Sequence, residues 1–457
     1  MVREGDQYKA VFTVRNVSDR DVRLKIEASI KDGVKVHQYL PIHEMTLSAG
    51  HSKVVSWDVE APTGATNRQW LIKATALDTL QSDALKIDQR VYRLYQPRTI
   101  QREFMQLKGP VTLSIERPPE AIPGSAFIEV SSSRSIVNSI DGVKSYMEQY
   151  PYTCLEQRVS QAVTLMDKRL WGVIVNQLPS YLDGNGLLKY FPSMTQGSDI
   201  LTSYVLSISN EASLEIPDHL LQRMQEGLMA FINGRVSGYS PLQTSDLNIR
   251  KLSALEALSR YGLVNSSLIS PINIDTAVMP SSALIDWINI IRRVLDIPDR
   301  DKRYIQAVNS LTGRFVYHGA TAGLTTERGD RLWWLMVSPD VNMLRTILTF
   351  AGDKEWRDYM PRLMRGVLSR QKGGKWDTTT ANAWGTLAVK RFVLLYENER
   401  VTGMTVLSTK GDTWKIKWPE GEDPEPLKLK FDKGAKYDLS LRHHGTGVPW
   451  LSLSSIA

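Results

Sequence analysis

From Tyr8 to Gln96 hydrophobic and polar positions alternate. Val22, Leu24, Ile26, Ala28 and Ile30 are interleaved with Arg23, Lys25, Glu27 and Ser29, a spacing that places one face of a strand on a core and the other in water. Similar runs around Phe12, Val14, Val54, Trp57, Val59, Ile72, Ala74 and Ile87 are separated by Ser18-Asp19-Arg20-Asp21 and Ala61-Pro62-Thr63-Gly64. Short strands joined by turn-rich stretches predict an all-β sandwich, immunoglobulin-like, over residues 1–97.

Strands continue over 98–136, with Val111, Leu113 and Ile115 alternating before Pro118-Pro119, and Phe127-Ile128-Glu129-Val130 following Pro123-Gly124. The period then changes. Between Ile136 and Tyr396 apolar residues recur at three and four, as in Val159, Ala162, Val163, Met166, Leu170, Val173 and Ile174, expected in one helix, and Met360, Leu363, Met364, Val367 and Leu368 in another. About ten such amphipathic segments are counted, among them those around Leu221–Ile232, Leu252–Leu263, Ala283–Val294, Leu332–Leu348 and Ala383–Tyr396. The economical arrangement over 137–402 is one all-α domain of sequential hairpins, and a closed ring of them would bury every inner stripe.

After Val401 the period returns to two: Trp414, Ile416 and Trp418, then Leu427, Leu429 and Phe431, then Tyr437, Leu439 and Leu441. Neither this strand block (403–457) nor the one over 98–136 is long enough for a comfortable sandwich alone. Together they make one, with the helical domain inserted between its halves. The fold class expected is therefore multi-domain, α and β, in the order sandwich, half-sandwich, helices, half-sandwich.

A chain of 457 residues suits about three domains, and no apolar stretch approaches the roughly 18 residues of a membrane-spanning helix. Its 56 basic and 49 acidic residues, net +7, are interspersed along the chain. That pattern describes a mixed solvated surface and gives no support to nucleic acid as a partner. One cysteine and seven scattered histidines exclude an intrachain disulfide and offer no metal cluster. No H-E-x-x-H, G-x-x-x-x-G-K-[ST], G-x-G-x-x-G or G-x-S-x-G is present. No metal and no cofactor is expected.

Chemistry concentrates at Tyr150-Pro151-Tyr152-Thr153-Cys154-Leu155-Glu156-Gln157. Pro151 pushes Tyr150 away from helical geometry, and Thr153 with Glu156 has capping-box spacing, so Cys154 is expected on the first helical residue. There the helix dipole would favour the thiolate. Gln157, three residues on, shares its face. If the sulfur displaces ammonia from the Gln157 side-chain amide, an internal thioester results, an activated acyl group that Tyr150, Tyr152 and Leu155 could keep dry. The ordinary alternative makes Cys154 a small buried hydrophobe, Glu156 a cap, Gln157 a surface residue and the tyrosines core.

The octapeptide resembles the thioester signature of the alpha-2-macroglobulin and complement family, in its bacterial branch; vertebrate members carry glycine where this chain has Leu155. Gly197-Ser198-Asp199-Ile200-Leu201-Thr202-Ser203-Tyr204 is similar to the segment opening an early helix of the thioester domain, and Gly373 to Trp384 to its last hairpin. His444-Gly445-Thr446-Gly447-Val448-Pro449-Trp450 is similar to the closing strands of the surrounding sandwich. The resemblance implies a macroglobulin-type β-domain followed by a CUB-like sandwich split by an α/α toroid. It further implies a broad-spectrum protease inhibitor in which bait cleavage exposes the bond and a protease lysine or hydroxyl is acylated at the Gln157 carbonyl. Such an event is single-turnover, so no enzyme is expected. A periplasmic protein is implied, with a lipid tether of the full-length form to the inner membrane as one option. Bait region, leader and anchor would lie outside this chain, and a shielding domain beyond Ala457, leaving a C-terminal-side fragment with no membrane contact of its own.

Two other readings stand beside it. Asp286 with Trp287, Trp333 with Trp334, and Asp377 with Trp376 could furnish the acids and stacking platforms of a carbohydrate-active toroid, a glycosidase or lyase. Cys154 with a distant histidine could make a cysteine hydrolase, which leaves Gln157 idle. His318 reads as a loop or core histidine, Asp296–Arg303 as a solvated loop, and the acceptor matches at Asn16 and Asn265 as chance.

Overall fold

The computed structural model describes residues 2–33, 37–62, 67–92, 99–117, 126–238, 240–242, 244–319, 321–325, 332–409, 411–430 and 436–456. Thr63-Gly64, Pro118-Pro119, Pro123-Gly124 and Phe431 of the sequence reading lie outside these residues. The chain divides into two units, Met1–Arg98 and Thr99–Ala457.

In the first unit the strands are β1 (Val2–Arg3), β2 (Gln7–Arg15), β3 (Val22–Asp32), β4 (Gln38–Tyr39), β5 (His43–Leu47), β6 (Ser52–Glu60), β7 (Asn67–Ala76) and β8 (Ser82–Tyr92). β2 pairs with β6, and a second sheet runs β1-β8-β7-β3-β4 with β5 also on β3. Ala10, Val55 and Trp57 of the first sheet pack with Ile26, Ala28, Ile30, Trp70 and Ile72 of the second. The alternation in β3 thus becomes a buried face, as its pattern demands. Val54 has the opposite parity to Val55 and Trp57, and is exposed rather than core-facing.

The second unit contains β9 (Thr99–Gln106), β10 (Val111–Glu116) and β11 (Phe127–Ser133), then helices, then β14 (Met404–Ser408), β15 (Thr413–Lys417), β16 (Leu427–Lys430), β17 (Lys436–His444) and β18 (Trp450–Ile456). One sheet is ordered β10-β17-β14-β15 and the other β16-β11-β18-β9. Each sheet therefore joins strands from both sides of the helical segment: Val111 pairs with Leu441, and Val130 with Leu427 and Leu453. Between them lie Met105, Ile115, Ile128, Val130, Leu407, Leu439 and Leu451.

Among the described residues the helices are α1 (Asp141–Glu148), α2 (Leu155–Leu165), α3 (Lys168–Tyr181), α4 (Asp199–Glu211), α5 (Asp218–Ile232), α6 (Leu247–Ser259), α7 (Ser266–Ile269), α8 (Ser281–Arg293), α9 (Arg300–Thr312), α10 (Pro339–Phe350), α11 (Met360–Ser369) and α12 (Thr379–Tyr396). A hairpin, β12 (Phe315–His318) with β13 (Thr321–Leu324), follows α9. Helices α2, α4, α6, α8, α10 and α12 each touch the next, and α12 touches α2 again, so the inner helices close on themselves. α3, α5, α9 and α11 pack outside them.

A single apolar stripe does not describe the inner helices α4, α8 and α12. In α4 every residue from Asp199 to Ser209 is buried. Its polar members are satisfied partly within the turn, Thr202 and Ser203 hydroxyls donating to the carbonyls of Ser198 and Asp199, and partly by α6, where Ser207 donates to Glu256 and Asp199 accepts from Arg250. Three boundaries also differ from expectation. Val159 to Ile174 is two helices, broken where Met166 adopts φ 55° and Asp167 caps α3 through the amides of Arg169 and Leu170. Leu332–Leu348 is a short 3-10 turn at Trp333–Leu335 and then α10, which starts only after Ser338 caps it. Asp296–Arg303 is not all loop, since α9 begins at Arg300.

Trp450 of β18 joins the two parts of this unit. It belongs to the helical core, stacks on Phe104 with centroids 5.0 Å apart, meets Phe392 of α12 at 6.0 Å, and donates its indole N–H to Glu397 Oε1 at 2.6 Å. No helix among the described residues is long and apolar enough to cross a membrane.

Candidate functional site

Tyr150-Pro151-Tyr152-Thr153 is an irregular approach to α2, and the helix starts one residue later than capping-box spacing suggests. Leu155 is the first helical residue, and Cys154, extended at φ −64° and ψ 160°, is the N-cap. Thr153 is exposed and does not cap. The reciprocal pair is Cys154 with Gln157: the sulfur accepts from the Gln157 backbone N–H, while Gln157 Oε1 accepts from the Cys154 N–H at 3.2 Å. A cysteine thus occupies the place usually held by serine or threonine. Its nucleophilic atom and the glutamine side-chain carbonyl are folded onto the same turn.

The surroundings grade from wet to dry. Tyr152 is 66% exposed and Leu155 fully buried, while Cys154 is 8% exposed. Tyr150 stands between Tyr146 and Tyr152 in edge contacts, and its hydroxyl lies at a long 3.5 Å from Gln157 Nε2. Leu155, rather than Tyr152, closes the inner side. The amide of Leu155 donates to the carbonyl of Tyr190 at 3.0 Å, so the loop after α3 also holds the start of α2. The phenol of Tyr190 is pushed well above its ordinary pKa by burial and then by Glu156, and stays protonated.

Where Cys154 is unlinked, burial works against the activation that the sequence suggests. Burial pushes the Cys154 pKa up; the amide of Gln157 pulls the other way, and the Glu156 carboxyl adds to the rise. In an unlinked Cys154, burial is thus the largest influence, and it opposes the activation a helix N-terminus would give.

Glu156 anchors this turn. Its Oε1 accepts from Ser160 Oγ and from Thr379 Oγ1, each at 2.7 Å, and Ser160 Oγ lies 2.7 Å from Tyr204 OH. Burial raises its pKa against those two bonds. Helix α2 is tied in this way to α12 and α4. Sequence reasoning missed Ser160, Tyr190, Tyr204 and Thr379 as members of the site, although Tyr204 and Thr379 fall in the segments quoted for their resemblance. In the second of those segments Thr378 caps α12 and Asn382 accepts from the Trp376 amide, and Gly385, just beyond it, lets the indole lie against α12, where a Cβ would stand 2.1 Å from Trp376 Cζ3. In the first, Asp199 grips Arg250 at 2.5 and 2.9 Å in a buried ion pair.

The residues of the other readings are otherwise engaged. Asp286 is bonded to Arg345 at 2.5 Å, and Trp287 and Trp376 are buried. Trp334 donates to Asp246 at 2.9 Å, and Asp377 accepts from Ser338 at 2.9 Å. Trp333 alone of these tryptophans is largely exposed. Among the described residues the groups acting on the Cys154 thiol are Gln157 and Glu156, with no histidine. His318 ends β12, exposed, on a strand rather than in a loop or core. No described group of His, Cys, Asp and Glu is arranged to hold a metal ion.

No family model matches the chain, and no curated protein matches its sequence. Solved structures do match. Native alpha-2-macroglobulin from Escherichia coli, spanning domain MG7 to the C-terminus, aligns with all of this chain and 72% of its own, at TM-score 0.52 and 16% identity. The same organism's alpha-2-macroglobulin in its native conformation aligns with 99% of this chain and 29% of its own, at TM-score 0.51 and 15% identity. Salmonella alpha-2-macroglobulin reacted with methylamine gives 100% and 30%, at 0.50 and 15%. At such identities the likeness is one of fold, a multi-domain arrangement of sheets and helices shared along the whole of this chain.

Proposed function

We propose that this chain carries an internal thioester between Cys154 and Gln157 and serves as the acylating part of a protease inhibitor of the alpha-2-macroglobulin kind. The observation that carries the proposal is the reciprocal Cys154–Gln157 cap, which puts a sulfur and a side-chain amide carbonyl on one helical turn. Bond formation joins Sγ to the Gln157 carbonyl carbon and releases the amide nitrogen as ammonia, the thiol proton leaving with it. An amine or hydroxyl of a captured protease then adds to that carbonyl, and Cys154 departs as a thiol. The acyl group is used once, so the protein inhibits rather than turns over.

On this reading residues 1–97 form a macroglobulin-like sandwich. Residues 98–136 and 403–457 form a CUB-like sandwich, and 137–402 an α/α-toroid thioester domain. Tyr150, Tyr152, Thr153, Leu155 and Glu156 make the bond's surroundings. Proteases as targets are supported by the fold likeness to an Escherichia coli alpha-2-macroglobulin activated by porcine elastase; a periplasmic setting and a shielding domain beyond Ala457 are part of the same proposal. The intact mass of freshly purified protein tests the proposal: it should be lighter by one ammonia than the sequence mass, and methylamine should raise it by one methylamine. A sequence mass unchanged by methylamine would remove the thioester and leave the fold alone.

A further inference from the structure

Helices α4, α6, α8, α10 and α12 line an open hollow of about 350 Å³ near their C-terminal ends. Cys154 caps the N-terminal end of α2, whose Glu156 meets Thr379 at the start of α12, so the hollow lies at the opposite end of the ring. Arg260, Arg292, Arg293, Arg345 and Arg391 line it, with Glu211 the carboxylate among them. Two of these arginines have acids of their own: Asp353 takes Arg292 through bonds of 2.6 and 2.9 Å, and Asp286 takes Arg345 at 2.5 Å. The other three share two carboxylates. Glu211 accepts from Arg260 at 2.9 Å and Arg391 at 3.3 Å, and Glu256 from Arg260 at 2.8 Å and Arg293 at 3.0 Å.

Three guanidiniums against two carboxylates leave one positive charge unmatched among the described residues. Arg293, 29% exposed, has its pKa lowered chiefly by burial and then by its neighbour Arg260, against the pull of Glu256. A desolvated charge without a counter-charge is costly. The partial negative charge of the helix C-termini can take up part of it, and a bound anion can take up the rest. Guanidinium forks match the paired oxygens of carboxylates and phosphates. From the hollow, the shared carboxylates and the unmatched charge, we propose that this end of the ring binds a small oxyanion, a phosphate or carboxylate group, between Arg260, Arg293 and Arg391. The site does not depend on the thioester.

Titration calorimetry of the full chain with inorganic phosphate, and separately with succinate, in chloride buffer of matched ionic strength tests it. Arg391→Gln and Arg293→Gln are the variants. The Arg391 side chain is 45% exposed, so its replacement leaves the fold in place. Saturable binding of at least one anion is expected in the parent, weakened roughly tenfold by Arg391→Gln through loss of a charge-assisted contact. Binding of phosphate alone identifies a phosphate-bearing ligand, and binding of succinate a carboxylate-bearing one. No saturable heat with either anion, or binding that neither variant weakens, overturns the site and assigns the surplus charge to the helix carbonyls.

Discussion

Gln157 Oε1 lies 3.2 Å from the backbone nitrogen of Cys154, and the Cys154 sulfur in turn accepts from the backbone of Gln157, so the two residues hold each other at the first turn of α2. Gln157→Glu keeps the accepting oxygen but has no ammonia to lose. Thiol titration under native conditions should find no reactive group in the parent until methylamine is added, and one group in Gln157→Glu from the outset. Equal titration of both proteins before methylamine would count against the bond.

With the bond absent, as in Gln157→Glu, burial sets the behaviour of the thiol. Its pKa is raised by desolvation, so the thiolate forms only above the ordinary thiol range. The rate of iodoacetamide labelling should rise with pH at a higher midpoint in the folded variant than in the same chain unfolded in urea. A folded midpoint at or below the unfolded one would return the decision to the helix dipole.

Glu156 gives a pH signature of opposite origin to an ion-paired acid. Its folded pKa is raised, chiefly by burial, so the folded state holds the proton more tightly than the unfolded state. The stability this contributes is full below the ordinary glutamate range and is lost as pH rises through the folded value. Glu156→Gln keeps an oxygen for the hydroxyls of Ser160 and Thr379, and should flatten that part of the curve in urea unfolding across pH. Glu156→Ala strands the Thr379 hydroxyl and leaves Ser160 with Tyr204 alone, and should cost about 1–3 kcal/mol below the ordinary glutamate range.

How much of this could be read beforehand differs by element. Val22 to Ile30 reads directly as a strand because one face meets one core, and Met360 to Leu368 as a helix because its apolar residues recur at three and four, although most of that helix is buried. Helices α4, α8 and α12 are wrapped on every side, so their hydroxyls and amides blur the stripe that a periodic count looks for. The break at Met166 is invisible to spacing, since Met166 and Leu170 keep the rhythm while Asp167 captures the amides beyond. At the site, Cys154 and Gln157 stand out as residue types close in sequence. Thr379, 223 positions from Glu156, comes to it only when the last inner helix packs on the first.

The pair of Asp199 and Arg250 has side chains 1% and 2% exposed, and Asp246 stands 3.6 Å from the same guanidinium. Asp199→Ala should destabilise the protein by about 3–5 kcal/mol, because it leaves a buried cation short of a partner. Asp199→Leu with Arg250→Met should recover part of that loss. Chemical unfolding measures both. A cost below about 1 kcal/mol for the single change would mean that Asp246 alone suffices for Arg250.

Trp450 is a strand residue whose ring is owned by the helices. Heat cannot peel the sandwich from the ring without dragging that indole out of α12 and away from Glu397, so Thr99–Ala457 should melt in one endotherm despite its two textures. Trp450→Ala should split or broaden that peak in scanning calorimetry. Any motion that displaces the C-terminal strand would be felt, through one side chain, by the helix that Glu156 holds against Cys154.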